Sequence, residues 1–319
     1  MLQSYKTSAA RITRLAVGEP LSNAVWIDLC SPEPGQVAEV EALGVAVPTL
    51  DEMEEIEISS RLYRDDGVDY LTVVLPGMTA AEAPVLAPVT FIIGKGRLVT
   101  VRHHSPRPFE TFPELGGHGV LDADDAAGVF LGLADEIIAR FADILEEIGA
   151  ALDALSLRVF SDSDDRARGS LRAALKTIGQ VGDRVGRVRL GLLTMDRALS
   201  FYGQTLRDSP HAPPRAETVA VLQRDIAALG EHADFVYSRI GLIDDATLGM
   251  INLEQNAALR IFSVVAVLFM PPTLVASIYG MNFAAMPELG RSWGYPASLA
   301  LMLASAVVSY LIFKWKKWL

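Results

Sequence analysis

From about Asp124 onward, apolar side chains recur every three or four residues, the spacing of one face of a helix. Val129, Leu133, Ile137, Phe141, Ile144, Ile148 and Leu152 set the rhythm and predict a helix over Ala126–Phe160, broken by Asp162-Ser163-Asp164-Asp165. A second helix is predicted from about Arg166 to Leu206, and Asp208-Ser209-Pro210-His211-Ala212-Pro213-Pro214 reads as a turn. From about Ala216 the helical pattern continues to Pro271 and Pro272 and on to Tyr279, weakened at Gly230, Gly241 and Gly249. At 1.5 Å per residue such a helix is roughly 95 Å long, enough for a stalk that leaves a bilayer. Upstream the pattern differs. β-Branched runs at Ala24–Leu29, Tyr70–Leu75, Val89–Gly94 and Arg97–Val101 predict strands, with Lys95-Gly96 as a tight hairpin turn. Acid-rich helical stretches at Pro34–Leu43 and Leu50–Glu57 lie among them, so the first part is expected to be a mixed α and β domain ending near Leu115.

The end of the chain loses its polar face altogether. Ile261–Tyr279 is 19 residues without a charge and Ser292–Phe313 is 22, each long enough to cross a hydrocarbon layer of about 30 Å. The connector 280–291 is short, Arg260 precedes the first span, and Lys314, Lys316 and Lys317 follow the second. The positive-inside rule then puts both termini in the cytoplasm and the connector outside, with Trp293, Tyr295, Trp315 and Trp318 suited to the interfacial belts. Met1–Pro20 has no continuous apolar core and does not read as a secretory signal. The expected location is a bacterial-type inner (plasma) membrane, with a multi-pass end and a cytosolic body. Two helices cannot wall a polar path through lipid, so transport requires a homo-oligomer with the same helix of each subunit around one axis. The first span is the better lining candidate because it carries Ser263, Thr273 and Ser277 and continues upstream into Asn252, Glu254, Gln255 and Asn256. The second, with Ser298, Ser305 and Ser309 among small residues, reads as an outer, lipid-facing helix.

Charge sharpens this picture. The chain has 28 Lys and Arg against 39 Asp and Glu, and the part before Arg260 holds 23 bases and 38 acids, a formal charge of −15. Such a body repels nucleic acid and attracts cations, so no nucleic-acid partner is expected. The single Cys30 can form neither an intrachain disulfide nor a thiolate metal cluster. Enzyme signatures are missing: Gly94-Lys95-Gly96-Arg97 lacks the spacing of a phosphate-binding loop, adjacent His103 and His104 point to opposite faces of a strand, and His118, His211 and His232 are isolated. The chain is therefore expected not to be an enzyme and to need no organic cofactor.

The connector opens with Tyr279-Gly280-Met281-Asn282-Phe283 and continues to Met286-Pro287-Glu288-Leu289. Here the chain resembles the CorA family of magnesium and cobalt transporters, whose signature is Gly-Met-Asn at the outer end of the first span. The resemblance extends over Asn252–Leu289, including Glu254-Gln255-Asn256 and Met270-Pro271-Pro272-Thr273-Leu274, and to the basic end Lys314–Leu319. Upstream it is looser, as at Ile58-Ser59-Ser60-Arg61 and Arg224-Asp225-Ile226. It implies an α+β cytoplasmic domain (1–115), long cytoplasmic helices including the stalk (116–259) and two transmembrane helices (260–319), assembled as a symmetric pentameric funnel in the lipid bilayer.

What the resemblance implies chemically is a Mg²⁺ channel. Gly280, Met281 and Asn282 would form the selectivity filter, with Asn282 offering an amide oxygen to a hydrated ion, Gly280 easing the turn and Met281 packing it. Mg²⁺ gives up its water reluctantly, so a ring of neutral oxygens suits it. Asn256 and Thr273 match pore-lining positions and Met270 an apolar constriction, with Leu259 and Phe262 further in; plain helix packing is the alternative for the three apolar residues. Glu288 is either part of an anionic fringe at the entrance or a solvated loop charge. The family is held shut by cytoplasmic Mg²⁺, for which Asp225 and Asp245 are the foremost candidate ligands, with Asp244, Asp65, Asp66 and Asp69. Co²⁺ and Ni²⁺ are expected as lesser substrates. Two rivals stay open: a Zn²⁺ transporter of the related ZntB branch, against which Met281 argues, and a non-conducting membrane-anchored cation sensor.

Overall fold

The computed structural model describes residues 1–8, 11–16, 18–114, 125–160, 167–206, 212–281, 286–287 and 290–316. Seven strands come first, interleaved with short helices: β1 (Leu2–Ser8), β2 (Arg11–Arg14), β3 (Trp26–Cys30), α1 (Pro34–Glu41), α2 (Leu50–Glu54), α3 (Ile58–Arg61), β4 (Leu62–Asp65), β5 (Val68–Met78), β6 (Pro84–Gly94) and β7 (Arg97–Arg102). Helices follow: α4 (Pro108–Glu114), α5 (Ala126–Phe160), α6 (Ala167–Thr205), α7 (Ala212–Tyr279) and α8 (Gly294–Trp315).

The strands form one mixed sheet in the order β2-β1-β3-β7-β6-β5-β4, in which only β3 and β7 run parallel. The hairpin between β6 and β7 turns through Lys95 (φ 51°) and Gly96 (φ 79°), two consecutive left-handed residues whose twist matches that of the flanking strands. Alternate side chains serve two cores. Trp26, Leu71, Val73, Phe91 and Leu98 face α4, α5, α6 and the first part of α7, while Ile27, Leu29, Tyr70, Ile92 and Val99 face α1 and α2. Burial on both faces is why these strands read as unbroken apolar runs. Helix α2 is held at its start by a reciprocal capping box between Thr49 and Glu52.

The strands at the two sheet edges, β2 and β4, and β1 beside β2 were not expected from the sequence, because Leu2–Ser8 and Arg11–Arg14 are mostly polar and draw their order from pairing. Helix α5 has the expected bounds, and α6 differs by one residue at each end. Helix α7 begins at Ala212, inside the segment read as a turn, because Pro213 and Pro214 sit in the first turn, where their missing N–H groups would have had no partner anyway. The expected break at 162–165 and residues 208–211 of that turn lie outside the described residues.

The chain divides into two compact units, one of 1–165 with 172–244 and one of 166–171 with 245–319. In the first, Val219, Leu222, Ile226, Val236 and Ile240 of α7 join the large core. Its sheet also holds a buried polar chain. Trp26 Nε1 donates to Thr100 Oγ1 at 3.0 Å, Thr100 donates to Asp28 at 2.8 Å, and Arg102 grips Asp28 with Nε and Nη2. Arg102 Nη1 donates to the His104 carbonyl at 2.7 Å. His103 and His104 lie just past β7 and do not act together: His104 Nε2 sits 2.9 Å from the Leu75 carbonyl, and burial lowers its pKa to about 4.

Candidate functional site

Two helices, α7 and α8, are long and apolar enough to cross a membrane, and the second unit contains α8 and the part of α7 from Asp245 onward. Almost nothing is buried in the most apolar stretches of α7 and α8. A contiguous apolar surface of this size is untenable in water and ordinary in lipid. Polar side chains there bond back to their own helix. Ser263 Oγ donates to Leu259 O at 2.8 Å, Thr273 Oγ1 to Met270 O at 2.9 Å, Ser298 Oγ to Tyr295 O at 2.9 Å and Ser305 Oγ to Met302 O at 2.8 Å. Each hydroxyl proton is thereby satisfied while its oxygen keeps acceptor capacity.

The two faces of α7 are unequal. Val264 is buried, and Leu268, Pro271, Pro272, Val275 and Tyr279 are half-buried, all on one side of the helix. On α8 the covered positions are Gly294, Ser298, Met302, Ser305, Ala306, Ser309 and Phe313, a stripe of mostly small residues that suits close helix contact. Pro271 and Pro272 lack the N–H groups that would bond the Val267 and Leu268 carbonyls, yet the helix runs through them.

On the opposite side of α7, Asn256, Leu259, Ser263, Ala266, Met270, Thr273, Ser277 and Gly280 fall in one stripe with alternating steps of three and four residues. Every one of them is exposed, as is Phe262 at its flank; Leu259 is 63 % exposed, Phe262 72 % and Met270 65 %. The predicted pore-lining residues Asn256, Leu259, Phe262, Met270 and Thr273 are thus brought together on one uncovered face. Sequence reading missed that Ala266 completes the same stripe; the signal was the seven-residue repeat itself.

The stripe ends where the helix ends. Gly280 N–H donates to Ala276 O at 2.9 Å and Met281 N–H to Ile278 O at 3.2 Å, closing the last turn. Gly280 is not in the left-handed region; what its missing side chain spares is a contact, since a Cβ there would lie 3.1 Å from the Ala276 carbonyl oxygen. Met281 is exposed. Asn282 and Glu288 lie outside the described residues. Beyond them the Arg291 guanidinium lies 5.9 Å from the centre of the Trp293 ring, and Lys314 occupies the last turn of α8, where a cation complements the helix dipole.

The candidate regulatory carboxylates are spread out. Asp225 and Asp245 are exposed, Asp66 is paired with Lys95 at 2.9 Å, and Asp69 is buried, accepting from Thr205 Oγ1 at 3.0 Å. Burial raises the pKa of Asp69, opposed by Thr205 and Arg64. Asp135 is also raised, by burial first and then by Asp225 and Glu136. Among the described residues no three His, Cys, Asp or Glu side chains come close enough to hold a metal ion.

An acidic α+β body followed by long helices and an end of two helices apolar enough to cross a membrane has the make-up of a membrane protein. A family model described as CorA-like Mg²⁺ transporter protein matches residues 22–316, and the chain belongs to that family. It is 35 % identical to the magnesium transport protein CorA of Yersinia pseudotuberculosis and to that of Escherichia coli K12, in both cases over the whole of each chain. Its fold matches the complete CorA magnesium transporter of Methanocaldococcus jannaschii with a TM-score of 0.71 at 18 % identity, covering 100 % of this chain and 99 % of that one. The full-length CmaX protein matches at 0.68 and 17 % identity, covering 100 % and 98 %.

Proposed function

We propose that this chain is one subunit of a homopentameric channel that carries Mg²⁺ into the cell across the inner membrane. In this reading 1–115 and 116–259 are cytoplasmic, 260–319 forms the membrane part, 280–291 is the outer loop, and both termini face the cytoplasm. The observation that carries the proposal is the uncovered stripe of α7 from Asn256 to Gly280, which runs up to Gly280-Met281-Asn282 on the side away from the face covered within the subunit. Symmetry puts such a stripe from each subunit around one axis. A seven-residue repeat drifts about 20° per heptad on a straight helix, so the helices wrap with a left-handed tilt as they line the path.

An incoming ion meets Asn282 first. Its amide oxygen, repeated by symmetry, bonds the water shell of Mg²⁺ without replacing it, and Glu288 raises the local cation concentration. Below the mouth Thr273 and Asn256 offer polar stations, separated by an apolar neck at Met270, Phe262 and Leu259 that closes by dewetting. The membrane potential drives entry, supplying about 4.6 kcal/mol for a divalent ion at 100 mV. Co²⁺ and Ni²⁺ pass as lesser substrates. Cytoplasmic Mg²⁺ closes the channel by bridging carboxylates of neighbouring subunits, Asp225 and Asp245 among them. The exposure of both and the lack of a complete ligand set among the described residues of one subunit support a bridged site.

The test is ion flux into proteoliposomes made with purified protein. Wild type is expected to conduct Mg²⁺, and Asn282→Ala to lose that flux while keeping its assembly. Unchanged flux in the variant removes Asn282 from the mechanism, and Zn²⁺ flux that needs a proton gradient, in place of Mg²⁺ flux, overturns the choice of ion.

A further inference from the structure

In the first unit α7 has two opposed faces. Val219, Leu222, Ile226, Ala233, Val236 and Ile240 are buried in the large core. On the other side Val221, Ala228, Phe235 and Leu242 follow one another at intervals of seven residues, and all four are exposed. Phe235 is 59 % exposed and Leu242 69 %, high values for large apolar side chains in an acidic body. Contacts on the flanks fix which face points outward. Arg189 of α6 holds Asp234 at 2.8 Å and lies 5.8 Å from the centre of the Tyr237 ring, and Arg239 is held by Asp153 of α5 at 2.6 Å. Phe235 makes its ring contact with His232 of the same helix, 6.3 Å between centres.

An exposed apolar row in so strict a register calls for a partner. A seven-residue repeat keeps to one side of a helix only where helices wrap around one another, so the partner is a helix of the same kind. Counting on by sevens from Leu242 reaches Gly249, Asn256, Ser263, Met270 and Ser277, the last four in the stripe proposed to line the ion path. The register of Phe235 and Leu242 thus continues one that symmetry puts around the axis, and their partner is the same face of the other subunits. Between the apolar positions come Arg224, Glu231 and Ser238, all exposed. A bundle packed dry would be apolar there as well. Polar side chains at every second seam position keep this one wet, interrupted by apolar rings about 10 Å apart. We propose that Phe235 and Leu242, each repeated by symmetry, ring the axial passage of the cytosolic stalk and form a second barrier that limits passage of the ion. This rests on the reading of α7 as the lining helix. Such a ring offers no oxygen to a hydrated cation, and a narrow apolar ring sheds its water.

The assay is cysteine cross-linking of the purified full-length protein in lipid vesicles, in a Cys30→Ser background that removes the single native thiol. Phe235→Cys and Leu242→Cys, both at exposed positions, are expected to give subunit dimers on mild oxidation with copper phenanthroline. Tyr237→Cys, exposed on another side of α7, is expected to give none. Leu259→Cys, in the proposed membrane neck, tests the underlying reading separately. Dimers from Leu259→Cys with none from Phe235→Cys or Leu242→Cys overturn the rings and leave the pore reading intact, and no dimers at any of these positions overturn both. Dimers from Tyr237→Cys as readily as from Phe235→Cys also overturn the proposal. The barrier itself is read as Mg²⁺ flux into proteoliposomes. The double variant Phe235→Ser with Leu242→Ser is expected to raise that flux severalfold, a gain that a folding defect would not produce, and flux at or below the wild-type level overturns the barrier.

Discussion

Replacing Asp28 by Asn isolates the buried ion pair that joins β3 to β7. Asp28 and Arg102 are 2 % and 6 % exposed, and the carboxylate receives two guanidinium nitrogens and the Thr100 hydroxyl. Asparagine fits the space but offers one oxygen where the carboxylate offers two, and turns an N–H₂ toward the donors of Arg102. The guanidinium, already 2.7 Å from the His104 carbonyl and 4.9 Å from the Phe109 ring centre, is largely buried. Removing one partner of such a pair costs about 3–5 kcal/mol, because the remaining charge stays buried without its counter-ion. For a unit of this size that corresponds to a melting temperature lower by roughly 10 °C. Thermal unfolding of the full-length protein, followed by near-ultraviolet circular dichroism, reads it directly, since Trp26 donates into the same network and stacks on Tyr5 at 4.6 Å. The companion double variant Asp28→Asn with Arg102→Met removes both charges and is expected to recover part of the loss, giving a coupling of about 2 kcal/mol. A single variant that melts within about 2 °C of wild type, or a double variant no more stable than the single, would refute the reasoning.

Gly191→Ala drives a Cβ into the Phe141 ring at Cζ and brings it 3.2 Å from the Val74 carbonyl, where α6 touches both α5 and the sheet; Phe141 is buried and cannot swing away, so a loss of about 1–3 kcal/mol is expected in chemical unfolding. His104 has its pKa lowered by burial to about 4, so the unfolded chain takes up a proton that the folded one refuses between about pH 6.5 and pH 4. Stability is therefore lost as pH falls through that window and levels off below it. The loss is roughly 3 kcal/mol, and His104→Gln, which can still donate to the Leu75 carbonyl, should flatten that part of the stability profile.

The long helices were legible because their apolar spacing persists over many turns, and α5 was read to its ends. The strands buried on both faces were legible as apolar runs. Edge elements were not: Arg11–Arg14 has no pattern apart from its pairing with β1, and α7 starts earlier than the Pro213-Pro214 pair suggested because proline in a first turn costs no hydrogen bond. For the proposed pore-lining stripe, the residue types and the Gly-Met-Asn tripeptide were visible, whereas the inequality of the two faces of α7 was not. A span apolar on all sides gives no hint of which side another helix will cover.

Local order along the chain was enough to determine helix periodicity, the two apolar spans, the excess of acid and the tripeptide after Tyr279, since each depends on neighbours within a few residues. Tertiary structure alone decided what depends on residues far apart meeting. Asp28 reaches Arg102 only because β3 and β7 lie parallel and adjacent, and Arg107 joins Arg140, Arg184 and Arg187 only because α5 and α6 pack on the sheet. Charge and hydrogen-bond energies act over a few ångströms, so their partners are chosen by the packing of the elements and not by their order along the chain.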